Sequence, residues 1–91
     1  MNLDELGDHD PAMYEAVYTR ICQTAEQWCK EYFRQSWAQV WELGHFPVVY
    51  PEMLFGYRVV VEMPDYPQRE VVDVLLTADW SIIDVKRPSH V

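Results

Sequence analysis

From Asp10 onward the chain carries an apolar stripe that only a helix gathers onto one side. Asp10 precedes Pro11, and that pair marks a helix start: the carboxylate can accept from the free amides of the first turn, and proline loses nothing at the first helical position. Tyr14, Val17, Tyr18, Ile21, Cys22, Ala25, Trp28, Cys29, Tyr32 and Phe33 then recur at three- and four-residue steps. At roughly 100° per residue they occupy an arc of about 160°. The opposite arc holds Thr19, Arg20, Gln23, Glu26, Gln27, Lys30, Glu31 and Arg34. So broad an arc exceeds a coiled-coil seam and suits a helix laid across a sheet. The pattern predicts a core helix from Pro11 to about Gln35, with Trp28 at its centre.

Residues 36–44 fit two templates. As a helix they carry Trp37 and Trp41 to the polar side; as a strand they put Trp37, Gln39, Trp41 and Leu43 on one face. The helical template is preferred, ending at Gly44 as a left-handed C′ residue, with Pro47 barring continuation. His45 to Gly56 holds two prolines four residues apart, which confines it to a short edge strand or an extended loop.

Beyond this the period changes to two. Tyr57, Val59, Val61 and Met63 alternate with Arg58, Val60 and Glu62, the mark of a strand with one buried face. Pro64 to Pro67 forces a turn. A second strand runs from Arg69 to Leu76 and a third from about Trp80 to Lys86, joined by a hairpin at Thr77-Ala78-Asp79. The expected fold is therefore α+β: one long N-terminal helix packed on an antiparallel meander of three to four strands. In its order of elements this resembles cystatin-like and PepSY-like small domains, without a diagnostic motif of either, and such topologies host unrelated functions.

Ninety-one residues form a single domain, since two cores would leave each half near the size that needs disulfides or metals. Apolar residues make up 49% of the chain, enough to supply that core. The longest apolar run is about four residues, far below a bilayer span, and the acidic N-terminus lacks the basic and apolar regions of a signal peptide. A cytoplasmic protein is expected. Residues 1–9 read as a flexible acidic leader with Leu3 and Leu6 as its apolar anchors.

The net charge is −8, with Asp4, Glu5, Asp8 and Asp10 in the first ten residues. The seven basic residues are scattered, which argues against a nucleic-acid phosphate track. Such a net charge either serves ordinary solubility or favours encounter with a basic protein surface.

No constellation of catalytic type emerges. Cys22 and Cys29 lie seven apart on one helical face, about 10.5 Å at 1.5 Å rise per residue, too far for a disulfide or a shared zinc. They read as buried, reduced thiols. Asp8-His9-Asp10 offers metal-ligand types, but adjacent residues point apart, so the segment reads as a cap and leader. His45 could act as a base yet has no nucleophile or partner near it in sequence. No enzyme, cofactor or metal is expected.

Two binding readings remain. The first is a non-enzymatic protein-interaction module, a homodimer or a binder of another protein. If Tyr57, Val59, Val61, Val72, Val74, Leu76, Ile83 and Val85 face the helix, then Val60, Val71, Leu75 and Ile82 form an apolar patch on the other face, rimmed by charge. The second is a small apolar-ligand pocket between helix and sheet, lined by Trp28, Tyr32, His45, Tyr50 and Phe55. Trp37, Trp41, Tyr50, Tyr66 and Trp80 fall where elements end or turn, and serve either as core rims or as contact anchors.

Overall fold

The computed structural model describes residues 3–45 and 55–88. Its elements are α1 (Leu3–His9), α2 (Pro11–Phe33), β1 (Gln39–His45), β2 (Phe55–Met63), β3 (Tyr66–Leu76) and β4 (Ile82–Lys86). The strands make one antiparallel sheet in the order β1-β2-β3-β4, and the long helix α2 packs against one face. This is the α+β arrangement that the change of period implied.

Helix α2 starts as its sequence dictates: Asp10 caps it, accepting the Met13 amide at 3.1 Å, with Pro11 at the first helical position. It stops earlier than expected. Arg34 takes the left-handed conformation at φ 55°, and both its amide and that of Gln35 bond to the Lys30 carbonyl, closing the last turn. The continuation toward Gly44 is therefore corrected. Residues Gln39–His45 are a strand, which seats Val40 and Leu43 against the core. Gly44 pairs with Arg58 in the sheet, and among the described residues no glycine has a positive φ.

The buried residues of α2 are Val17, Ile21, Ala25 and Cys29, a straight row at four-residue spacing. Small Ala25 and Cys29, both without exposure, let the helix approach the valines at 59, 61, 72 and 74. Each such aliphatic side chain contributes about 1.5–3 kcal/mol when fully buried. Trp28 is displaced from the expected central place: it is half-buried, its ring stacked on Tyr32 at 4.6 Å and 10°.

The acidic leader is corrected too. Its residues Leu3–His9 form α1, which buries Leu6 and lays Gly7 so close to Tyr14 that a Cβ there would stand 3.3 Å from the ring. Exposed Glu5 and Asp8 keep α1 wet on one side while Leu6 anchors the other.

Strand β3 begins at Tyr66, so the β2–β3 turn is Pro64-Asp65, and Pro67 lies inside the strand. Its missing amide costs no ladder bond there. The pairing of β4 with β3 runs only from Leu76 to Asp73, so beyond that rung no described strand stands on the second side of β3. At the other end, Thr77–Ser81 reverses the chain. The Thr77 amide bonds to the Ser81 carbonyl at 2.9 Å, and the Trp80 amide to the Thr77 carbonyl at 3.0 Å. Trp80 occupies the left-handed region at φ 69° yet is buried in the core, so burial of its indole holds a backbone conformation that a side chain of this size disfavours.

Candidate functional site

Alternation along β2 and β3 divides the sheet into two chemically distinct faces. Val59, Val61, Val72 and Val74 are buried in the core under α2. Their alternate neighbours Arg58, Val60, Glu62, Val71, Asp73 and Leu75 therefore occupy the opposite, outer face. Of the expected patch, Val60 and Val71 pair directly across this face and are half-buried. Leu75 shares the face but is already buried, leaving little for a partner to cover. Ile82 is corrected: the register slips between Leu75 and Leu76, so Ile82 pairs with Leu76 on the helix side and packs against the core, while Ile83 is extruded and about half exposed.

The outer face is salt-linked. Arg58 makes a two-pronged bond to the buried carboxylate of Asp73, at 2.9 and 3.3 Å, and Lys86 stands opposite Asp73 in the β3–β4 register. Arg69 gives a 2.8 Å bond to Glu62 and lays its guanidinium over the Trp41 ring, 3.9 Å from the centroid. That contact reaches from β3 across β2 to β1, so it fixes Trp41 on the outer face. Trp41 sits at a register shift between Val40 and Glu42, and such a bulge re-aims a side chain. Its ring remains 54% exposed, and Trp37 just before β1 is 47% exposed. A groove of about 350 Å³ runs beside Trp37, lined among others by Tyr66, Pro67 and Arg69.

Sequence had marked Trp37 and Trp41 only as aromatics at element ends. The four described members of that set divide as follows: Trp80 is core, Tyr66 packs edge-on against Phe33 at 5.0 Å, and Trp37 and Trp41 are solvent-facing. Tyr50 lies outside the described residues. What sequence reasoning missed was Arg69 as the partner of Trp41, because residues 28 positions apart meet only through the register of three strands.

Of the five residues of the expected ligand pocket, only Trp28 and Tyr32 have described side chains, and they stack on each other on α2, while the backbones of His45 and Phe55 lie at strand ends. Trp28 and Tyr32 flank Phe33 at the C-terminal end of α2, and Phe33 in turn meets Tyr66 beside the β2–β3 turn. His45 and Phe55 end their strands at the opposite edge, with His45 opposite Tyr57 and Phe55 opposite Leu76. Six residues of strand separate that end from Gln39, roughly 20 Å. The side chains of His45 and Phe55, like Tyr50, lie outside the described residues. The groove nearest Trp28 is an open one on the surface of α2, lined by Gln23, Thr24, Gln27, Trp28 and Glu31.

Neither cysteine is an activated nucleophile. Burial first, then the charge of Glu70, pushes the Cys29 thiol up to about 11. Burial and the charge of Glu26 raise Cys22, against an opposing hydrogen bond from Tyr18. Both stay protonated at neutral pH. Among the described residues no group of three His, Cys, Asp or Glu side chains could hold a metal ion, and no helix is long and apolar enough to cross a membrane. No family model, curated protein or solved structure matches the chain.

Proposed function

We propose that this chain is a non-enzymatic protein-interaction module that pairs with a second copy of itself through the outer face of the sheet. The observation that carries the reading is the half-exposed Trp41 lying under Arg69 beside Val60 and Val71. Tryptophan and arginine dominate the energetics of protein interfaces, and an apolar centre with a charged rim is the usual anatomy of such a contact.

Charge selects the occupant. A chain of net charge −8 repels its own copy wherever acids prevail. The outer face carries Arg58, Arg69 and Lys86 against Glu42, Glu62, Asp73 and Asp84, so it is close to neutral and holds three of the seven basic residues of the chain. A two-fold contact there sets the same near-neutral patch against itself.

The face is favoured over the β1 edge. Glu26 on α2 occupies the Val40 amide at 3.0 Å, and the bulge at Trp41 twists the next residues out of register. Both devices blunt strand-to-strand addition. The test is the Trp41 indole resonance on dilution: it should shift with protein concentration while that of Trp28 does not. A Trp41 signal indifferent to concentration overturns the reading.

A further inference from the structure

We propose that the groove across the first two turns of α2 is a second docking site, one that takes a basic segment of another protein. Pro11, Tyr14, Glu15 and Tyr18 line an open groove of about 380 Å³. They recur at i, i+3, i+4 and i+7, which puts them in one stripe along the helix. The two rings lie 5.9 Å apart, tilted by 32°, and Gly7 of α1 backs Tyr14, so the inner wall is fixed in place. Tyr18, by contrast, is exposed and available to a ligand.

The charged residue of the groove wall is an acid, Glu15, and the first lysine or arginine of the chain, Arg20, lies about 200° around α2 from Tyr18. Residues 1–19 contain Asp4, Glu5, Asp8, Asp10 and Glu15 and no lysine or arginine. Exposed Asp8 and Asp10 stand at the junction of α1 and α2, and Glu15 is in the groove wall itself. Tyrosine faces flanked by carboxylates are the surroundings in which a guanidinium or ammonium head finds both ring and charge, while its alkyl stem lies on the rings. A second copy of the chain is the wrong occupant, because it would bring the same acids to the contact. A nucleic acid is repelled for the same reason. The complementary partner is a cationic protein segment with apolar residues interspersed.

The experiment uses a short fluorescent peptide of alternating arginine and leucine, titrated with the full chain by anisotropy. Tyr18→Ala and Glu15→Gln should each weaken binding by roughly fivefold or more. Glu31→Gln removes the same charge from the far end of α2 and should change binding by less than about twofold. Trp41→Glu should leave it in place, which separates this site from the self-contact on the sheet. Circular dichroism confirms that each variant is folded, as expected for exposed positions. Absence of peptide binding, equal losses in Glu31→Gln and Glu15→Gln, or indifference to Tyr18→Ala overturns the proposal.

Discussion

The Glu26 carboxylate accepts the backbone amide of Val40 at 3.0 Å, tying the first rungs of β1 to the middle of α2 across fourteen residues of chain. Without it the amide of an edge strand would face a half-buried site with no acceptor, and a charged hydrogen bond of this kind contributes about 1.5–3 kcal/mol. Glu26→Ala should lower stability by about 1.5–2 kcal/mol, at the lower part of that range because the site is only part-buried, whereas Glu26→Gln keeps an acceptor and should lose less. Chemical denaturation of the three proteins decides. Equal stability of Glu26→Ala and the parent would show that the bond does not hold β1.

Arg34 ends α2 at φ 55°, where an L side chain costs roughly 1–2 kcal/mol that glycine does not. Part of this is offset by the greater freedom glycine has when unfolded. Arg34→Gly should therefore raise stability by about 0.5–1 kcal/mol. A lower melting temperature would mean that the Arg34 side chain contributes more than its backbone strain removes.

Trp80 and Trp28 should respond unequally to truncation. Trp80→Ala removes a buried ring and leaves the left-handed turn strained, and it should cost about 3–5 kcal/mol. Trp28→Ala removes a half-exposed ring whose main partner is Tyr32, and about 1–2 kcal/mol is expected, given that an aromatic pair contributes about 0.5–1.5 kcal/mol beyond its burial. Equilibrium unfolding ranks them, and the reverse order would place Trp28 in the core after all.

These aromatics show what the sequence made legible. The helix start at Asp10-Pro11 and the alternating valines of β2 and β3 follow from local chemistry and periodicity and appear in the fold, while of the expected helix stripe Val17, Ile21, Ala25 and Cys29 are buried, Cys22 is half-buried, and Tyr18 and Tyr32 are exposed. Trp28 and Trp80 exchanged roles for a reason that no window of sequence contains. Small Ala25 and Cys29, rather than the largest ring, meet the sheet where α2 comes closest, and the indole of Trp80 arrives from a turn whose left-handed φ would ordinarily be assigned to glycine. Likewise, one extra residue at Ile83 reversed which isoleucine faces the helix, and strand bulges leave little trace in a period-two pattern. The Trp41–Arg69 stack was illegible because it depends on the alignment of three strands at once.

Cys29 links folding to alkaline pH. Its thiol is raised from the ordinary 9.0 to about 11 in the folded chain, so the folded state holds this proton more tightly than the unfolded one. The associated stability is complete below pH 9 and is lost as pH rises from about 9 through 11. Cys29→Ala should flatten that decline. At neutral pH the parent should react slowly with a thiol reagent and quickly once unfolded; rapid native labelling of Cys29 would contradict its burial.

The central claim rests on self-association through the outer face, and molar mass in solution tests it most directly. Light scattering across a concentration series is predicted to give a dimer for the parent chain and a monomer for Trp41→Glu, a substitution at an exposed position that leaves the core untouched. Ile83→Glu, equally exposed but on the bulge of β4, should remain dimeric. A parent chain that is monomeric at every concentration, or a Trp41→Glu variant with the mass of a dimer, would contradict the account.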